Sequence, residues 1–286
     1  MPEGPECTTI AKQLDSKLKS SYLVDIDILS GRYLKKLPEK YDEFTSVLPI
    51  KINSIKNKGK FIYASLEKDW YIYITLGMSG SFKVHSNKYE RIKFIYIKEN
   101  NNTQYENCVY FSDMRNFGTL KFVQGFNHIK KKLNSLGPDM LNNPCSLDDW
   151  LKLCDKHKNK SLVNFLMTQS VISGVGNIYK SESLFLSRLF PANKIKECST
   201  EELTNLYNSV IKVLKTAYVT GGSTISTYSD IFSRVGTYTN IDREIKDISL
   251  GSVMVYGKKE DPFGNPISKV VLDDRRTTYY SPKLQK

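Results

Sequence analysis

The opening MPEGPE places a proline at position 2 and carboxylates at Glu3 and Glu6. Removal of Met1, which a small side chain at position 2 permits, turns Pro2 into an N-terminal secondary amine. With an α-amino pKa of roughly 8 against about 10.4 for lysine, about a tenth of such an amine is unprotonated at neutral pH, against ~0.04% of a lysine. Condensation of that amine with a sugar C1′ gives an iminium ion, a fixed positive charge that acidifies the C2′ proton and promotes elimination. Glu3 is suited to protonate a departing or ring-opening oxygen, and Glu6 lies close enough in sequence to join the site. Taken alone, the same six residues also read as a proline that merely permits Met removal, followed by two solvated acids.

Four further stretches fit requirements of bound duplex DNA. NKGKFIYASL (57–66) presents Lys58 and Lys60 around a glycine at a strand entrance, where a side chain can point at a phosphate. An ordinary basic hairpin turn has the same appearance. LGMSGSF (76–82) and SDMRNFGTL (112–120) put Met78, Arg115 and Phe117 on glycine-bearing loops, a set able to fill the gap left when a base is rotated out of the stack. Singly, Met78 and Phe117 read more simply as core residues. SGVGNIYKSESLF (173–185) is a glycine-rich turn running into a helix, whose N–H groups and positive dipole end can hold a phosphate, with Asn177 as a side-chain donor. A helix cap with no ligand is the alternative.

The elements that must position these residues change character along the chain. From about 22 to 124, YLVDIDIL, FIYASL, WYIYITLGMSGSFKV, RIKFIYIKE, CVYFSDM and GTLKFV are short, aromatic or β-branched segments separated by turns, several with period-two alternation. Residues 7–20 are the one early helical pattern, with Ile10, Leu14 and Leu18 recurring every fourth position. MPEGPE itself forms neither a good helix start nor a strand. A Gly-, Pro-, Asn- and Ser-rich segment, 133–147, reads as a linker between a domain over 1–132 and a second over 148–286. SLDDWLKLCDKH opens with a Ser cap and an acidic first turn, and helical spacing continues to Gly221. Residues 221–249 read as an irregular loop, and 252–286 as a terminal hairpin with strand character in SVMVYG, ISKVV and RRTTYY. The fold class is therefore α+β, an N-terminal antiparallel β-sandwich followed by helices and a hairpin.

Lys and Arg exceed Asp and Glu by 42 − 30 = 12, which favours a polyanionic partner, and residues 51–60 concentrate four lysines with no acid. No window approaches the ~18 uncharged apolar residues of a membrane span. The N-terminus has no signal-peptide pattern, so an intracellular protein is expected. The five cysteines are odd in number and include no CxxC pair, which argues against a disulfide framework and for a reducing compartment.

MPEGPE, GKF, LGMSGSF, FSDMRNFGTL, LGPDML, SGVGNIYKSESL and VYGKK, in this order, resemble the Fpg/Nei family of DNA glycosylases. The MPEGPE start is more similar to the Nei-like branch than to the 8-oxoguanine branch. The resemblance implies a helix–two-turn–helix domain after the sandwich. It also implies a bifunctional glycosylase/AP lyase of base excision repair, which removes oxidised bases, pyrimidines and hydantoins above others, and cuts by β- and δ-elimination. It makes Pro2 the nucleophile, Glu3 the general acid and Glu6 a shaper of the lesion site. Lys60, Asn177 and Arg276 become DNA contacts, and Met78, Arg115 and Phe117 the void fillers. Glu182 falls at an acidic position where a structural role is expected. Double-stranded DNA with oxidised bases or abasic sites is the implied partner, met by a monomer without cofactor.

Two departures stand out. Most members end in a four-cysteine zinc finger, whereas no cysteine follows Cys198 here, so the 252–286 hairpin resembles the zincless finger of a vertebrate Nei-like glycosylase and of giant-virus relatives. No metal is expected there, nor at Cys145, Cys154 and His157, whose types permit a ligand set. Thr75 stands where many relatives carry a phosphate-contacting histidine. A lesion-binding protein that does not cut, and a basic RNA-binding protein, are the competing readings.

Overall fold

A computed structural model describes residues 2–100, 103–222, 229–236 and 253–286, with side chains over 99–105 excepted. The loop expected over 221–249 lies largely outside these residues, as does the first residue of the expected finger. The chain forms two compact units, one comprising residues 1–2, 6–134 and 225–236, the other 3–5, 135–224 and 237–286.

In the first unit, α1 (Gly4–Leu18) buries Ile10, Leu14 and Leu18, the stripe visible in the sequence. It starts at Gly4 rather than at residue 7, so MPEGPE does begin a helix. Pro5 is tolerated because an N–H in the first turn has no intrahelical acceptor to lose. There follow β1 (Tyr22–Ile28), the short α2 (Tyr41–Thr45), β2 (Ile50–Lys58), β3 (Phe61–Leu66), β4 (Trp70–Thr75), β5 (Gly80–Lys83), β6 (Glu90–Asn100), β7 (Thr103–Asp113), β8 (Thr119–Gln124) and α3 (Phe126–Asn134). The strands are ordered β5-β7-β6-β1-β2-β3-β4-β8 with antiparallel pairing throughout. Leu23, Ile52 and Phe94 from one end of this order and Ala64, Ile72 and Ile74 from the other line one small apolar void with Leu14 of α1. The two halves thus face each other as a sandwich with α1 in its core. The basic stretch at 51–60 is mostly β2, whose Ile50, Ile52 and Ile55 point inward while its lysines point out.

The second unit holds α4 (Leu147–Lys156), α5 (Leu162–Met167), α6 (Asn177–Leu186), α7 (Thr200–Val219) and the hairpin of β9 (Ser268–Val271) and β10 (Thr277–Tyr280). Ser146 caps α4 as its sequence indicates, accepting the Asp149 N–H at 3.1 Å. Every residue of α6 from Asn177 to Phe185 is buried, so this is a central helix with neighbours on all sides. The described part of SVMVYG, residues 253–257, does not form the expected strand. The backbone N–H groups of Met254, Val255 and Tyr256 instead converge on the buried Glu182 carboxylate, and no strand can pair with donors so engaged.

Candidate active site

In the second unit the site is built on the first turn of α6. Glu3 is fully buried, and its carboxylate accepts the N–H groups of Ile178 at 3.0 Å and Tyr179 at 3.4 Å. Those donors have no intrahelical partner, and the helix dipole favours a negative charge there. The GVGN turn, read from sequence as a phosphate cradle, therefore presents these two N–H groups to a carboxylate of the same chain. Gly176 is part of this seat, because a Cβ on it would lie 2.2 Å from Glu3 Cδ. Two residues before Gly176, the Gly174 carbonyl accepts the Gly4 N–H at 2.8 Å, which fixes the direction from which Glu3 enters.

Asn177 opens α6 and ties it to the hairpin, with Nδ2 donating to the Thr277 carbonyl at 3.1 Å. Its Oδ1 accepts the ammonium of Lys180 at 2.8 Å, and its side chain also pairs with the hydroxyl of Tyr256. Lys180 in turn meets Asp274 Oδ2 at 2.5 Å, with both side chains withdrawn from solvent. Burial pushes the lysine down from its ordinary pKa, while the Asp274 hydrogen bond pulls it back up. Asp274 Oδ1 takes the Arg276 N–H at 3.1 Å and leaves the Arg276 side chain exposed. Lys180, Asp274 and Tyr256 were not singled out in the sequence. The available signal was a lysine among the apolar positions of NIYKSESLF.

In the first unit Pro2 is buried, and Glu6 occupies the first turn of α1 with no exposed surface. Lys60 follows Gly59 in the β2–β3 turn. This turn is held beside α1 by Cys7, whose thiol donates to the Lys60 carbonyl at 3.7 Å, and by Asn57, whose Nδ2 donates to Thr8 Oγ1 at 2.9 Å. Lys58 departs from the sequence reading of a phosphate-directed lysine. Its ammonium donates to the Leu133 carbonyl at the end of α3, at 2.9 Å.

Met78, Arg115 and Phe117 stand at the surface. Met78 is 37% and Phe117 58% exposed, which removes the reading of either as a core residue. Arg115 Nη1 lies 3.5 Å from Met78 Sδ. A buried carboxylate that the sequence reading missed, Asp113, joins the two loops: Oδ1 accepts Ser79 Oγ at 2.5 Å and the Arg115 N–H at 3.2 Å, and Oδ2 accepts the Gly118 N–H at 2.7 Å. Gly77, at φ +59°, permits the close approach, since a Cβ there would lie 2.7 Å from the Phe117 carbonyl carbon. Among the described residues no group of three or more His, Cys, Asp or Glu is arranged to hold a metal. Cys154 is buried, which pushes its thiol up to about 12.

Residues 1–120 match the formamidopyrimidine-DNA glycosylase N-terminal domain, 136–229 its H2TH domain and 244–286 its C-terminal domain. The formamidopyrimidine-DNA glycosylase of Ligilactobacillus salivarius is 28% identical over 287 aligned positions, covering 100% of this chain and 99% of that protein. The crystal structure of the MutM (Fpg) protein from Thermus thermophilus superposes with a TM-score of 0.80 at 25% identity, over 99% of this chain and 98% of that one. The Lactococcus lactis Fpg, solved in complex with DNA containing an abasic site, gives a TM-score of 0.79 at 22% identity, with 100% of both chains covered. Three domain matches in family order, joined to the fold and the full-length relatives, place this chain among the Fpg-type DNA glycosylases of base excision repair.

Proposed function

We propose that the protein is a bifunctional DNA glycosylase/AP lyase of the Nei-like branch, acting on oxidised pyrimidines and hydantoins in duplex DNA. The observation that carries the reading is the seating of Glu3. The residue directly after Pro2 has its carboxylate fixed by two α6 N–H groups and by the bare face of Gly176.

In this reading Pro2, freed of Met1, attacks C1′ of the damaged nucleotide through its secondary amine. The C1′–base bond breaks, the base leaves with a proton, and Glu3 donates a proton to the ring oxygen as the sugar opens to the iminium form. Loss of the C2′ proton breaks the C3′–O bond, a second elimination breaks C5′–O, and water releases Pro2. Glu6, buried in the first turn of α1, shapes the lesion pocket. Lys60, Asn177 and Arg276 meet backbone phosphates, and Met78, Arg115 and Phe117 occupy the gap left by the flipped base. The exposure of Met78 and Phe117, maintained by Asp113 behind them, favours this use over a packing role.

The finger reading rests on the absence of cysteine after Cys198 together with the direct ties of the hairpin to α6 through Asn177 and Lys180.

Borohydride trapping on a panel of single-lesion duplexes tests the whole reading. Wild type is expected to give a covalent adduct and Pro2→Gly none, with excision strongest on oxidised pyrimidines and hydantoins. Equal trapping by Pro2→Gly removes Pro2 as nucleophile, and strongest excision of formamidopyrimidine lesions removes the Nei-like assignment. Retained Met1 in the intact mass, together with no nicking of an abasic duplex, indicates a binder that does not cut.

A further inference from the structure

An irregularity in β6 aims one arginine at the loop that carries Arg115 and Phe117. Glu90 pairs with Ser112 and Ile92 with Phe111, so two steps along β6 match one along β7 and Arg91 has no partner in the ladder. A bulge of this kind redirects the side chain of the extra residue. Here the Arg91 guanidinium reaches the end of β7, where Nε donates to the Asp113 carbonyl at 2.7 Å and Nη2 to the Met114 carbonyl at 3.4 Å. Nη1 donates to Ser30 Oγ at 2.8 Å, and that hydroxyl donates in turn to the Glu90 carbonyl. All three guanidinium nitrogens are thus engaged within the chain.

The segment after β1 closes the other side of the same loop. Arg32 Nη2 donates to the Gly118 carbonyl and, at 3.0 Å, to the Tyr33 hydroxyl, which itself accepts the Leu120 N–H at 2.8 Å. Gly31, at φ +81°, lies so close that a Cβ on it would stand 2.5 Å from Asn116 Oδ1 and 2.8 Å from Arg91 Cδ. Asn116 turns the chain between Arg115 and Phe117 at φ +56°, in the left-handed region that asparagine tolerates. Both kinds of backbone group in the loop therefore meet a charged side chain. The Asp113 carboxylate takes the N–H groups of Arg115 and Gly118, and two arginines take the carbonyls of Asp113, Met114 and Gly118. Hydrogen bonds with an ionised partner are the stronger ones, so the backbone is held firmly while the Arg115 and Phe117 side chains stay exposed.

We propose that Arg91 is a positioning residue for base excision from duplex DNA: it presets the loop, so that Arg115 and Phe117 enter the gap of a flipped base without first being ordered. The proposal rests on the duplex-DNA reading given above, and it adds a residue that touches neither the base nor a phosphate. A segment already held in its bound conformation loses less freedom on binding. Taking a base out of the stack costs free energy, which gap filling offsets in part. A loosened loop therefore slows excision from a duplex more than from a single strand, which has no stack to hold open.

The test uses the full-length protein in single-turnover excision of one lesion, presented in a duplex and in a single strand. Arg91→Met is expected to lower duplex excision about tenfold, within the coupling typical of residues in contact, with a much smaller loss on the single strand. Arg91→Lys keeps the charge but reaches fewer acceptors, and should fall between. A fluorescent base analogue opposite a tetrahydrofuran abasic analogue reads gap filling directly, and its response on binding should shrink in Arg91→Met. The deciding measurement is a cycle with Phe117→Ala. Acting through the loop, Arg91→Met should cost little more once Phe117 is gone, and an equal loss in both backgrounds overturns the proposal. So does a salt slope lowered by about one in Arg91→Met, the mark of a direct phosphate contact. Should Arg91→Met unfold early, Gly31→Ala decides, since its Cβ intrudes on Asn116 while the Arg91 charge is kept: duplex excision and base-analogue response at wild-type values overturn the proposal. Phe117→Ala separates the two failures. If it excises poorly while the Arg91 variants match wild type, only the positioning role is lost. If it matches wild type on the duplex, or if wild type excises from neither substrate, the functional reading fails with it.

Discussion

Gly176 and Glu3 are complementary: the carboxylate of one occupies the space that a side chain on the other would need, with only 2.2 Å between Glu3 Cδ and a Cβ built on Gly176. Gly176→Ala is therefore expected to displace the carboxylate while leaving its chemistry intact. A misplacement of about 1 Å at a reacting centre costs on the order of 10²-fold in rate. Single-turnover base excision should fall by at least about that factor, and a variant excising at the wild-type rate would show that the seat of Glu3 does not matter.

Glu3→Gln preserves size but turns one of the two acceptor oxygens into an amide that cannot accept from both α6 N–H groups. Base excision is expected to be lost, while some strand cleavage at preformed abasic sites remains because the Pro2 amine is untouched. Parallel assays on a lesion duplex and an abasic duplex separate the two steps.

Asp113 ties together the two loops that carry Met78, Arg115 and Phe117, the residues proposed to fill the gap of a flipped base, through Ser79, Arg115 and Gly118. Asp113→Ala leaves the Ser79 hydroxyl and the Gly118 N–H without their acceptor, while the Arg115 N–H keeps Ser79 Oγ at 2.9 Å, at a cost of roughly 1–3 kcal/mol for each buried donor that water cannot reach. Excision from duplex DNA should drop, with little change on a single-stranded abasic substrate where no gap in the stack needs filling. Equal losses on both substrates would point to general unfolding.

Lys180 and Asp274 form an ion pair with almost no solvent access. Lys180→Met strands a buried carboxylate, and removing one partner of such a pair typically costs ~3–5 kcal/mol. Urea unfolding should show that loss, with Lys180→Arg recovering part of it. Because Asp274 also holds the Arg276 backbone, the salt slope for DNA should fall in Lys180→Met.

Asp261 gives the second unit a dependence on acid. Burial raises its pKa, but hydrogen bonds from Asn265 and Ser281 outweigh this and hold it below the usual aspartate value. A depressed carboxylate stabilises the fold above its unfolded pKa of about 3.9, and that contribution disappears as pH falls through the lower folded value. Amide exchange around 253–286 should accelerate below about pH 4 in wild type, with a weaker pH dependence in Asp261→Asn.

Much of the molecule is legible without coordinates. Period-two alternation marks the strands from Phe61 to Gln124, and the spacing of Ile10, Leu14 and Leu18 marks α1, because each pattern is a local consequence of one face being buried. Ser146 announces α4 for an equally local reason, the need of a first-turn N–H for an acceptor. Pro2, Glu3 and Asn177 likewise stand out by residue type and spacing, whereas Arg276 enters only through the family resemblance.

What the sequence could not determine depends on partners distant in the chain. Glu3 meets α6 across 175 positions, Lys180 meets Asp274 across 94, and Lys58 meets Leu133 across 75. None of these pairings leaves a periodic trace, so the first turn of α6 reads as a phosphate cradle until the carboxylate is seen in it, and Lys58 reads as a DNA contact until the helix end is seen beside it. SVMVYG has the composition of a strand, but Glu182 draws its N–H groups away from any neighbouring strand. Sequence by itself named the candidate residues and most of the segments that form elements. Only the tertiary structure decided which acceptor each donor meets, because burial forces polar groups to find partners wherever the fold brings them.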